Sequence, residues 1–120
     1  MPAYSATLAP TSLGPGDSLY LFAAADTITP PESSIVVAPV RGAAGCKQLT
    51  FQIAFASAPT ASVVIQASNV NADADFETVW TWSANNQFDN YTDTAGWLFY
   101  RAKVVSQSGG GALSVQVAGA

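Results

Sequence analysis

Gln48-Leu49-Thr50-Phe51-Gln52-Ile53-Ala54-Phe55 is the stretch that decides the fold. Leu49, Phe51, Ile53 and Phe55 alternate with Gln48, Thr50, Gln52 and Ala54. A period of two puts the first set on one side of an extended chain and the second on the other, the pattern of a half-buried strand. Outward from there, Val63, Ile65 and Ala67 alternate with Val64, Gln66 and Ser68, and Leu113, Val115 and Val117 with Ser114, Gln116 and Ala118. Leu19–Ala25, Ile35–Val40, Glu77–Trp82 and Trp97–Ser106 are further strand candidates. Turn residues separate them: Pro30-Pro31, Gly42 to Gly45, Ala58-Pro59, Ala84-Asn85-Asn86 and Ser108 to Gly111. No window sustains a helical period with caps, so one helical turn at most is expected. Seven or eight short strands, spaced about a dozen residues apart, predict an all-β chain: an antiparallel β-sandwich of jelly-roll or Ig-like type.

Ahead of these strands, Pro2, Pro10, Pro15, Gly14 and Gly16 punctuate the first seventeen residues. Prolines at that density oppose a helix and favour an extended segment. Within it Tyr4, Ala6 and Leu8 alternate with small polar residues, as in a short edge strand. The expected organisation is an extended N-terminal arm over residues 1–17 and one sandwich domain over residues 18–120.

Composition narrows the function classes. The 120 residues include no histidine, which removes the commonest general base and the commonest metal ligand together. A net charge of -4 argues against nucleic acid, whose phosphates call for a basic stripe. One cysteine excludes an internal disulfide and fits a reducing compartment. The opening MPAYSATLAPTSLGPGDS has no basic, uninterrupted-apolar leader pattern, and the apolar runs Leu21–Ala25 and Ile35–Val40 are too short to span a membrane. Only 10% of the residues are charged, where soluble domains average roughly 25%. Such an exterior is cheap to desolvate, and it points to a subunit of an assembly rather than an isolated monomer.

No stretch carries a catalytic signature. Asn71, Asp73, Asp75 and Glu77 set oxygen atoms at every second position, a spacing that suits a hard cation. Counted from Asn71 as a calcium loop, however, Phe76 stands where the turn glycine belongs and Trp82 where the bidentate glutamate belongs; the plainer reading is a solvated loop between strands. Asp89 and Asp93 are spaced loosely for a glycosidase pair and read better as a polar loop. Trp80, Trp82 and Trp97 suit a sugar-stacking face or, more commonly, core and interface anchors. Cys46 has no base beside it and reads as a small apolar residue. The segment from Trp97 to Val105 is apolar on both sides: Leu98, Tyr100, Ala102 and Val104 on one, Trp97, Phe99 and Val105 with Arg101 and Lys103 on the other. The second side is expected to lie under a loop, under the arm, or against a neighbouring subunit.

Ala61-Ser62-Val63-Val64-Ile65-Gln66-Ala67-Ser68-Asn69, followed by Phe76 to Trp80, resembles a pattern that recurs in bacteriophage virion proteins. There a strand ending in Gln-x-Ser-Asn leads through a short acidic loop to an aromatic strand. Tyr100-Arg101-Ala102-Lys103-Val104, Gly109 to Gly111 and Leu113 to Val117 are similar to the closing hairpin of those proteins, so the resemblance covers residues 47–118. It departs where Ala67 replaces a glycine and Val70-Asn71 an Asp-Gly turn.

The resemblance implies a β-sandwich structural component of a phage particle, either a capsid decoration (cement) protein or a head- or tail-fibre domain. It implies no catalytic residue and no cofactor. Its implied partners are the major capsid protein or other virion subunits and further copies of itself, as a trimer or dimer. The implied location is the virion, after synthesis in the host cytoplasm. A carbohydrate-binding β-sandwich module, of a tail fibre or a secreted enzyme, is the alternative. Tyr4 and Leu8 of the arm and Trp97, Phe99 and Tyr100 of the two-faced strand are the expected contact residues.

Overall fold

The structure, a computed structural model, describes residues 10–57, 59–82, 87–109 and 111–120. Ten strands are present among them: β1 (Thr11–Leu13), β2 (Ser18–Phe22), β3 (Glu32–Ser33), β4 (Val37–Pro39), β5 (Leu49–Phe55), β6 (Pro59–Ser68), β7 (Glu77–Thr81), β8 (Phe88–Asp93), β9 (Phe99–Gly109) and β10 (Leu113–Gly119). The one helical turn is a 3-10 turn at Asp73–Asp75. The strands form two sheets. Sheet A runs β1-β4-β9-β6-β7, with β3 also paired to β9; sheet B runs β2-β10-β5-β8.

Alternation explains why the sheets face each other. Leu49, Phe51, Ile53 and Phe55 of β5 are buried, and so are Leu113, Val115 and Val117 of β10. They meet Val63, Ile65 and Ala67 of β6 and Tyr100, Ala102 and Val104 of β9 in one continuous core. Each large side chain fully withdrawn from water in this way contributes about 1.5–3 kcal/mol. The result is an all-β, sandwich-like molecule of two layers.

Four expectations need correction. The pairing is mixed rather than purely antiparallel, because β1 runs parallel to β4. Ten strands replace the expected seven or eight, since two- and three-residue strands such as β3 and β1 carry too little periodicity to be read from sequence. The extended segment expected over residues 1–17 is, from Pro10 onward, part of the domain. Thr11 N donates to Val36 O, Val40 N donates to Leu13 O, and Leu13 is buried in the common core. The strand expected over Tyr4, Ala6 and Leu8, and the turn at residues 84–86, lie outside the described residues. Finally, the polar loop expected around Asp89 and Asp93 is strand β8, paired along its whole length with β5.

Candidate interaction surface

The alternation that buries Phe51 and Val115 turns another set of side chains outward on sheet B. Register fixes their neighbours across the four strands. Ser18, Ala118, Thr50 and Thr92 make one row, Tyr20, Gln116, Gln52 and Asn90 a second, and Ser114, Ala54 and Phe88 a third. Directly opposed residues share a face, so these eleven form one surface. None carries a formal charge. Thr50 and Thr92 hydrogen-bond through their hydroxyls at 3.1 Å. At the two edges Tyr20 and Phe88 are 55% and 64% exposed, the largest apolar groups left open on this side. Asp89 and Asp93 of β8 point the other way, opposite the inward-facing Ile53 and Leu49.

The outer side of sheet A is built differently. Residues 69–76 fold back over it as a strap. Arg101, only 3% exposed, donates through Nε to Gln66 Oε1 at 2.8 Å and through Nη1 to Asp73 Oδ1 at 2.5 Å. Its guanidinium lies 4.3 Å above the centre of the Phe76 ring, a cation–π contact. Phe76 and Val36 are buried together, with Phe99 packed against them. Ser68 Oγ accepts from Val70 N, and Asn69 Oδ1 accepts from Leu98 N, fixing the start of the strap. Asp73 is thereby engaged by Arg101, and among the described residues no three His, Cys, Asp or Glu side chains converge as a metal site.

Between the layers lies a polar knot. Asp93, 4% exposed, accepts from Tyr91 Oη at 2.7 Å, Tyr100 Oη at 2.5 Å and Ala95 N at 3.0 Å. Tyr100 Oη in turn accepts from Trp97 N, while Arg41 donates to the carbonyls of Cys46 and Trp97. Burial pushes the Tyr91 phenol up to about 12, helped by its hydrogen bond to Asp93 and that residue's charge. The same three causes raise Tyr100 further, opposed by Arg41 and by the Trp97 N–H. Phenols held protonated by a buried carboxylate are a structural clamp, since neither offers a nucleophile at neutral pH. Rings continue the clamp: Trp80 stacks on Tyr91, Tyr91 on Phe51, and Phe51 leans on Tyr100.

Two clefts flank the loop after β2. One, of about 350 Å³, lies between Asp26, Ile28 and Pro30 on one side and Gln107, Gly109 and Gly111 to Leu113 on the other. The other, of about 230 Å³, lies between Phe22, Asp26 and Thr27 and Glu32 to Ile35. The second is lined by Ser33, Ser34, Asp26 and Glu32; Ser34 Oγ donates to Ile35 O and accepts from Ala102 N, and Glu32 Oε1 accepts from Thr29 N.

The structure separates the expected contact residues. Tyr100 is fully buried, so it cannot serve as a contact aromatic; its ring fills the core and its hydroxyl closes the Asp93 knot. Phe99 is half-buried under the strap, and Trp97 is half-buried against the core margin. The strap thus covers Phe99 and Arg101 on the second side of this strand, while Val105 is exposed. Tyr4 and Leu8 lie outside the described residues. Leu98 precedes β9 and is exposed, not aligned with Tyr100 in the core. Trp82 is buried against Phe55, and Trp80, half-buried, has one ring face stacked on Tyr91. Cys46 is buried, with its thiol against Leu13 O. The uncharged face of sheet B was the missed surface. Its polar half-periods stand in the sequence at Thr50-x-Gln52 and Ser114-x-Gln116, but which strands share a sheet does not. No protein-family model matches the chain, and no curated protein matches it.

Proposed function

We propose that this protein is a non-enzymatic structural component of a phage particle, a capsid decoration (cement) subunit that stabilises the shell by bridging capsid subunits. The observation that carries this reading is the eleven-residue, charge-free outer face of sheet B, edged by exposed Tyr20 and Phe88. A face without ions avoids the cost of desolvating charges, and where its hydroxyls and amides are hydrogen-bonded across the contact, apolar burial at about 25 cal/mol per Å² around Tyr20 and Phe88 favours adhesion. Weak contacts suffice for cement, because many copies each engaging two partners gain through effective concentration. The interior supports the same reading: its buried polar groups form a rigid clamp rather than a reactive centre. The proposal includes a jelly-roll or Ig-like sandwich type, the major capsid protein as partner, and the virion as location after synthesis in the host cytoplasm.

The test is to band phage particles from the source culture on a density gradient and quantify the chain by mass spectrometry. The expected result is co-banding in many copies per particle, with loss of the chain lowering the temperature at which the shell releases its DNA. Particles devoid of the chain would overturn the proposal.

A further inference from the structure

We propose that the outer face of sheet B binds the same face of a second copy of this chain, making a two-fold dimer of stacked sheets. This deepens the adhesive reading above and rests on it: the face joins two copies, and each copy of the pair meets its own capsid subunit. Charge chooses the occupant. The chain carries eight acidic and four basic side chains, so two copies repel in most orientations. Asp17 and Asp26 sit in loops, Glu32 is buried, and Asp73, Asp75 and Glu77 lie on the strap and β7. Asp89 and Asp93 face inward from β8. Over the three rows of sheet B two copies can approach across four strands with no acid facing acid.

The chemistry of the rows is self-complementary. Hydroxyls of Ser18, Thr50, Thr92 and Ser114 and amides of Gln52, Gln116 and Asn90 each donate and accept. A two-fold rotation can therefore match the surface to itself, as isologous interfaces require. With the axis along the strands between β10 and β5, Gln52 of one copy meets Gln116 of the other. The Tyr20 edge of each then meets the Phe88 edge of its partner, twice. Size sets the strength. Four strands and three rows span roughly 20 by 20 Å, so two copies together hide on the order of 1,000 Å², the threshold for a specific contact. An interface near that threshold is expected to be weak and transient, so association is looked for in the micromolar range.

Sedimentation equilibrium from about 1 to about 100 micromolar tests this. The wild-type mass is expected to climb from 12.4 kDa towards twice that value. Gln52→Lys, which buries an ammonium group at the centre of the face, is expected to weaken association at least tenfold. Asn90→Lys, in the same row, is the second variant should the first fail to fold, and Val105→Lys on β9 is expected to match wild type. A wild-type chain that stays monomeric throughout, or a folded Gln52→Lys that dimerises as well as wild type, overturns the proposal. If wild type is monomeric while Gln52→Lys falls off banded particles, the face belongs to a shell subunit and self-pairing is overturned. Co-banding itself does not depend on dimerisation, so the particle reading and the dimer fail separately.

Discussion

The two sheets of this molecule treat their outer faces in opposite ways. Sheet A puts a buried arginine, a half-buried phenylalanine and a buried valine on its outer side and roofs them with residues 69–76. Sheet B puts hydroxyls, amides and two alanines on its outer side and leaves them open. A charge set on a sheet's outer side under a roof must be partnered there, and Arg101 spends its donors on Gln66 and Asp73. An uncharged face needs no such internal partners and stays available to another molecule. Of the twelve charged side chains, Glu32, Asp93 and Arg101 are buried, so the exterior is poorer in charge than composition alone suggests.

The largest effect is expected from stripping the roof. Arg101→Ala removes a buried side chain, its stacking on Phe76 and two hydrogen-bond partners, and is expected to cost about 3 kcal/mol in urea unfolding. Arg101→Met keeps the stem's packing and leaves Asp73 exposed, where its charge is hydrated. It is therefore expected to recover most of that loss, within about 1 kcal/mol of wild type. Equal losses in both variants would show that the ion pair, not the packing, holds the strap. Opening the roof should also expose Val36 and Phe99 and raise dye binding, making the outer side of sheet A resemble a sticky version of sheet B.

A second effect lies between the faces. Tyr91 and Tyr100 hold their protons more tightly when folded than the ordinary phenol value of 10, Tyr91 up to about 12. Above pH 10 the unfolded chain releases these protons and the folded chain keeps them, so unfolding gains free energy. Stability is expected to be whole below pH 10 and to fall as pH rises towards 12 and beyond, seen as a dropping urea midpoint. Tyr91→Phe should flatten part of that fall while lowering stability at neutral pH, because Asp93 loses a donor. An alkaline limb unchanged by Tyr91→Phe would mean that the phenol–carboxylate clamp is not what fails.

How much of this could be read beforehand follows from where the period of two survives. β5 and β10 are legible because their inward residues are apolar and their outward ones small or polar, and β6 nearly so, with Val64 the one branched apolar residue on its outward side. β8 is not, because its inward positions are Asp89, Tyr91 and Asp93: the buried carboxylate inverts the hydrophobic signal, and the two phenols that make its burial tolerable come from the same strand and from β9. The roof escaped for a related reason. Arg101 reads as a solvent-facing charge until Asp73, twenty-eight residues earlier, is folded over it. Tyr100 and Phe99 fall on opposite sides of an alternating strand, yet nothing in one sequence says which of the two aromatic sides meets the core. The open face required knowledge that β2, β10, β5 and β8 are neighbours, an order that skips back and forth along the chain.

The smallest effect is the most discriminating. If sheet B's outer side serves contact rather than folding, changing it should barely alter the isolated fold. Thr92→Val deletes an exposed hydroxyl pair with Thr50 and adds β-branched apolar surface in its place, a trade worth about 0.5 kcal/mol either way. Gln52→Lys, on an open position in the middle of the sheet, should likewise stay within about 0.5 kcal/mol in dilute solution. The same substitution is expected to weaken association at least tenfold, so stability and adhesion would separate at a single residue. A destabilisation of about 2 kcal/mol or more at Gln52 would mean that this surface is part of what holds the sandwich together. The contrast with the roofed face would then dissolve, because both outer sides would be structural and neither would be left over for a partner.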